Sequence, residues 1–271
     1  MKKNKFITNL LAASLLVSLV TPAALAAEVN RLETEGEVTF KLREDPEGEI
    51  VEPDEEDKPG TEIEVPGGGE SGKGLLRIQF VPHFKFVDVE GVTAGKIEKN
   101  VKVLAYKEKG NDLIQRKIAP FVQVSDERGI VGDGAKWDLK VNASKFVANK
   151  GAANEHTLDH AFIRLNDSTL TMTHGTSTGA GNLVQGQSNA AGVVGAVDLE
   201  PGQAYSVLKT LPGKDTNGYQ VSNVFQEDYQ QGMIYPGNQT NGVTFVKPAG
   251  QAAIADAQYK ATLTWTLTDG I

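Results

Sequence analysis

The sequence contains no cysteine. No disulfide can staple the chain and no thiolate can act as nucleophile or metal ligand, so stability has to come from a packed core. Basic residues are in deficit, with 27 Lys and Arg against 35 Asp and Glu and a formal charge of −8. Nucleic acid and anionic lipid both call for clustered Lys and Arg, so neither is an expected partner. Long runs of helix formers are missing, and no alternation of strand and helix suggests a parallel sheet. Beyond residue 26 no apolar run approaches the roughly 20 residues of a membrane span.

What is present suits short strands joined by turns. Apolar residues make up 39% of the chain, enough for a substantial core, and Thr, Val, Asn and 29 Gly are prominent. These favour an all-β fold, a sandwich or barrel-like domain of many short, mostly antiparallel strands. Strand candidates fall at 75–81, 101–106, 121–124, 137–141, 161–170, 193–197, 204–208 and 243–247. Between them, 171–195 reads as a long loop, and 213–239 as a polar stretch carrying Tyr219, Phe225, Tyr229 and Tyr235.

The N-terminus divides into two further segments. Residues 1–26 have the form of a secretory signal peptide: Lys2, Lys3 and Lys5, an apolar run over about 10–20, then Pro22 and the small-x-small Ala24-Leu25-Ala26. Removing those three lysines leaves a mature chain of charge −11 with no membrane span. In 27–71 an alternating segment, Gly36-Glu-Val38-Thr-Phe40-Lys-Leu42, precedes a Pro, Gly and acid-rich stretch over 43–73. So little apolar surface there predicts a flexible acidic linker. The expected β domain is then 72–271.

The most regular pattern lies at the C-terminal end. Ala261, Leu263, Trp265 and Leu267 alternate with Thr262, Thr264, Thr266 and Thr268, the period of a half-buried strand. The other tryptophan opens Trp137-Asp138-Leu139-Lys140-Val141, again with its apolar residues on one face. Trp-x-Leu thus occurs twice, 128 residues apart. The two segments are expected to pair and to organise the chain.

Several catalytic patterns fail on their own chemistry. The run 67–74 has phosphate-loop spacing up to Lys73, but Gly74 stands where a magnesium-binding hydroxyl belongs, and no hydrophobic strand precedes it. Gly175-Thr-Ser177-Thr-Gly179 fits a nucleophile elbow, yet no histidine follows His174 to complete the Ser, acid, His order. His156 and His160 lack the Glu of a zincin and read as loop residues, so no metal or other cofactor is expected. Asp126 with Asp133 or Asp138 could form an acid-base pair of a wall-acting glycosidase, but no motif singles one out. Asp126-Glu-Arg128-Gly129 reads equally as a turn with a local salt bridge.

The run from Phe121 through Asp126-Glu-Arg128-Gly129 to Trp137-Asp138-Leu139-Lys-Val141, with Tyr259 to Trp265-Thr266-Leu267-Thr-Asp269 near the end, resembles the WxL-domain surface proteins of low-GC Gram-positive bacteria. The signal peptide and acidic Pro/Gly segment match as well. The resemblance implies a non-enzymatic protein of the cell surface, attached non-covalently to peptidoglycan through both Trp-x-Leu motifs. It also implies a complex with a membrane-anchored partner and other WxL surface proteins. An alternative is a surface interaction protein that reaches the wall through that partner or binds host matrix. No Leu-Pro-x-Thr-Gly sorting signal is present, in keeping with non-covalent attachment. The usual Asp-Phe-Gly pattern after the linker is replaced by Phe84-Lys-Phe86-Val-Asp88. For Trp137, Asp138, Leu139, Trp265, Thr266 and Leu267 two roles are open: contact with glycan through exposed indole faces, or support of the motif as core, which the spacing favours.

Overall fold

The computed structural model describes residues 38, 41–42, 48–53, 60–91, 93–112, 115–173 and 179–270. The expected signal peptide, most of the segment 36–42 and the acidic run 54–59 lie outside the described residues. The chain falls into two units, Met1–Phe40 and Lys41–Ile271. Of the first, only Val38 is described; the fold is that of the second.

The described residues form eighteen strands and three short 3-10 turns. The strands are β1 (Ile63–Glu64), β2 (Gly69–Glu70), β3 (Leu76–Pro82), β4 (Ile97–Lys102), β5 (Leu104–Glu108), β6 (Arg116–Ile118), β7 (Phe121–Asp126), β8 (Trp137–Ala143) and β9 (Phe146–Ala148). They continue as β10 (His156–Leu158), β11 (Phe162–Leu165), β12 (Thr169–Thr173), β13 (Val184–Gln185), β14 (Val197–Leu199), β15 (Ala204–Thr210), β16 (Gln220–Val224), β17 (Gln239–Lys247) and β18 (Leu263–Asp269). Every pairing between them is antiparallel. The all-β reading therefore holds, with short strands set by the frequent Gly, Asn and Asp turns.

A five-stranded sheet in the order β12-β16-β7-β3-β2 and a four-stranded sheet β13-β15-β8-β18 supply most of the larger core. Val122, Val124 and Val221 of the first meet Trp137, Leu139, Val141, Val207 and Leu208 of the second in one apolar cluster. A second four-stranded sheet, β14-β11-β17-β4, closes the same cluster with Val101, Ile163, Leu165, Val197 and Val243. Because successive strand residues point to opposite faces, the other side of β7 carries Phe121 into a smaller core with Phe80, Ile63, Tyr106, Ile118 and Tyr235.

Part of the segment 43–73, expected as a flexible linker, contributes to that smaller core. Val51, Glu52, Ile63 and Val65 are buried, residues 70–73 are exposed, and Val51 forms an antiparallel bridge with Glu62. A buried backbone outside a sheet needs side-chain partners, and β7 and its neighbours provide them. Gln123 accepts from Val51 N–H at 3.1 Å and donates to Val51 C=O at 3.0 Å. Gln79 donates to Gly48 C=O, and Gln220 donates to Glu49 C=O at 3.3 Å. Tyr106 O–H donates to the buried Glu52 carboxylate.

Other boundaries moved for local reasons. The run 101–106 breaks at Val103 into β4 and β5, and 161–170 divides into β11 and β12. The stretch 213–239 contains β16, whose five residues are all buried although three are Gln220, Ser222 and Asn223. Its amide side chains bond internally, Asn223 Nδ2 donating to Gln187 Oε1 at 2.8 Å and Val207 C=O at 2.9 Å, while Asn223 Oδ1 is buried without a partner. His156, expected in a loop, starts strand β10 paired with β9.

Candidate functional site

The two Trp-x-Leu segments are neighbouring strands. β18 pairs with β8 over seven positions, with Leu263 opposite Ala143, Trp265 opposite Val141, Leu267 opposite Leu139 and Asp269 opposite Trp137. Directly opposed residues share a face, so Trp137, Leu139, Trp265 and Leu267 all look inward. Asp138 and Thr266 stand on the reverse face. The tryptophans are four positions out of register, about 13 Å apart along the strands.

Their environments differ because β8 is internal to its sheet and β18 is at its edge. Trp137 is 1% exposed, sealed in the larger core. Its indole Nε1–H donates to Thr216 Oγ1 at 2.8 Å, and its backbone N–H donates to Thr210 Oγ1 at 3.0 Å. Both its apolar faces and its polar handle are used inside the protein. Trp265, Leu263 and Leu267 are half-buried, packed against the core from the edge beside the half-buried Leu76 and Ile78 of β3.

On the reverse face Asp138 is buried and accepts from Ser206 Oγ at 2.6 Å, with Lys140 Nζ at 3.5 Å. Thr266 is exposed there, as are Thr264 and Thr268. The six residues singled out from sequence are thus brought into one two-stranded unit, but they do not converge on one surface.

A buried polar chain links the motifs a second time. Thr216, fully buried, accepts from Trp137 and donates to Asp126 Oδ2 at 3.3 Å. Arg128 forks onto the buried Asp126, Nε to Oδ1 at 2.9 Å and Nη2 to Oδ2 at 2.8 Å. The same guanidinium bonds to Ala135 C=O at 2.6 Å and reaches Asp269 at the end of β18. The Asp126 hydrogen bonds, aided by Asp269 and opposed by burial, raise the Arg128 pKa, so the hub is held charged. From sequence, Asp126 and Arg128 read as a turn with a local salt bridge, and Asp126 also as half of an acid-base pair. Thr216 carried no sequence signal, because its partners are 79 and 90 residues away.

The failed catalytic patterns have other structural uses. Gly69 in β2 lies so close to β3 that a Cβ there would sit 2.1 Å from Val81 C=O, which explains a glycine without a phosphate. Asp126 is spent in its ion pair with Arg128. His156 Nδ1 is 2.7 Å from the Tyr259 hydroxyl, which also accepts from Ile254 N–H. Residues 174–178, with Ser177, lie outside the described residues. Among the described residues no group of His, Asp and Glu is placed to hold a metal, and no helix is long and apolar enough to cross a membrane.

Comparison with known proteins agrees with the motif pair. Residues 27–270 match the family model described as WxL domain surface cell wall-binding. Neither the curated proteins nor the solved structures gave a match.

Proposed function

The chain belongs to the WxL family of surface cell wall-binding domains, and from that premise we propose that it attaches non-covalently to peptidoglycan, with the half-buried edge of β18 as the contact and β8 as its support. The observation that carries this reading is the division of labour within the motif pair. Trp137 is enclosed with its N–H satisfied, so it holds β18 in place. Trp265 is half-buried on the edge strand, beside the half-buried Leu263 and Leu267. An indole backed by aliphatic side chains presents a flat apolar surface with a polar edge, the form suited to the C–H faces and hydroxyls of a sugar.

Charge favours the glycan over the phosphate polymers of a wall. A chain of formal charge −8 is repelled by polyanions, whereas uncharged sugar faces impose no such cost. Non-covalent attachment requires no catalytic pair, in keeping with a family of binding domains.

Co-sedimentation with purified peptidoglycan, freed of wall phosphate polymers, tests the proposal. The folded protein alone is expected to pellet with the wall, and Trp265→Ala is expected to remain folded and lose most of that binding. If the purified protein pellets only after a membrane-anchored partner is added, attachment is indirect and the proposal fails.

A further inference from the structure

Among the described residues, all pairing of β18 is on one side. Ser144 N–H donates to Thr262 C=O and Gly270 N–H to Lys136 C=O, each at 2.9 Å. The even-numbered residues therefore exchange bonds with β8. By the alternation of an antiparallel ladder, the N–H and C=O groups of Leu263, Trp265, Leu267 and Asp269 point away from it. No strand among the described residues pairs with that side.

Proteins blunt such edges with short strands, lysines, prolines or bulges. Several other sheet edges here follow that rule, although the five-residue edge strand β12, Thr-Leu-Thr-Met-Thr, carries neither lysine nor proline. β2 and β13 have two residues and β14 three, while β4 carries Glu98, Lys99 and Lys102. β18 has seven residues in unbroken register, no lysine and no proline. Its one charge, Asp269, is held by Arg128.

The edge is also self-complementary. Residues 262–268 read Thr-Leu-Thr-Trp-Thr-Leu-Thr, the same in either direction. In an antiparallel pairing centred on Trp265, each residue meets its own kind. Trp265 faces Trp265, Leu263 faces Leu267, Thr264 faces Thr266 and Thr262 faces Thr268. The outward backbone groups of the odd-numbered residues then meet one another, as the ladder requires. Aromatic, aliphatic and Thr–Thr cross-strand pairs are all favourable.

We propose that the free edge of β18 pairs with β18 of a second copy of this chain across a two-fold axis at Trp265, joining the two four-stranded sheets into one. A chain of charge −8 repels itself over most of its surface, and this edge brings no uncompensated charge to the contact. The pairing rests on backbone groups and the palindrome, so it stands whether or not Trp265 touches the wall. It covers the same edge as the proposed wall contact, so β18 serves a second copy or the wall, one at a time.

Sedimentation velocity of the mature chain tests this. An interface limited to one strand edge is small, so a dimer with a dissociation constant of about 10–100 µM is expected. Thr264→Lys/Thr266→Lys sets lysine against lysine twice on the exposed face and is expected to be monomeric with an unchanged circular dichroism spectrum. Thr264→Lys/Thr266→Glu, at the same sites, sets lysine against glutamate twice and is expected to dimerise about 2- to 10-fold more tightly than wild type. Wild type remaining monomeric to about 1 mM would overturn the proposal, as would both variants dimerising alike. Amides of Leu263, Trp265 and Leu267 that resist hydrogen exchange in the dilute monomer would also overturn it, since the edge would then be covered within the chain.

Discussion

Trp137 and Asp269 stand opposite one another at the end of the β8–β18 ladder and are joined again through the interior. The route runs from the Trp137 indole to Thr216, from Thr216 to Asp126, and from Asp126 through Arg128 to Asp269. The Trp-x-Leu repeat is therefore a closure device: its first copy is enclosed in the core and its second is latched to it by backbone pairing and by a buried charge hub.

The hub gives an ordered set of stabilities by chemical denaturation. Arg128→Ala leaves the buried Asp126 carboxylate without its counter-ion and is expected to cost about 3–5 kcal/mol. Asp269→Ala removes only the exposed end of the chain, Asp269 being 58% exposed, and is expected to cost about 1 kcal/mol or less. Equal losses from both would mean that β18 is held mainly by the exposed pair.

Thr216→Val keeps the shape of the side chain and removes the acceptor for Trp137 Nε1–H. An orphaned buried donor costs about 1–3 kcal/mol. Trp137→Ala should cost about 3–5 kcal/mol through the lost volume. Because Thr216 and Trp137 act through one bond, the double variant should lose less than the sum, as a double-mutant cycle would show.

The strap over 48–53 depends on amide side chains. Gln123→Ala removes both bonds to Val51, and its effect should be local. Hydrogen exchange is expected to accelerate at Val51 and Glu52, while amides of β8 stay protected. Uniform acceleration across the domain would place the strap in the cooperative core.

Alkaline pH should weaken the fold. Burial first, then the hydrogen bond to Glu52, pushes the Tyr106 pKa above its usual value near 10. Burial likewise raises Tyr235 and Tyr205. A raised folded pKa means that the folded state holds protons the unfolded chain releases. Stability is therefore complete below about pH 10 and declines as pH rises past it. Tyr106→Phe should show a shallower alkaline decline in thermal midpoint, and an unchanged slope would remove Tyr106 from this account.

Legibility in the sequence followed the kind of contact each residue makes. The pairing of the two motifs could be read from alternation, because each strand has an apolar and a polar face. The difference between Trp137 and Trp265 could not, since the same face pattern serves an internal and an edge strand. β16 escaped notice because Gln220, Ser222 and Asn223 fill its buried positions. The packing of residues 48–53 escaped because Gln123 and Gln220, which hold it, lie 72 and 171 residues from their partners.

Measuring the affinity of folded Trp265→Ala for purified peptidoglycan, beside wild type and Thr216→Val, bears most directly on the central claim. The account expects Trp265→Ala to lose at least about tenfold, or 1.4 kcal/mol, with its fold intact, while Thr216→Val binds as wild type wherever it is folded. Undiminished binding by folded Trp265→Ala would contradict the account and leave both tryptophans as scaffold.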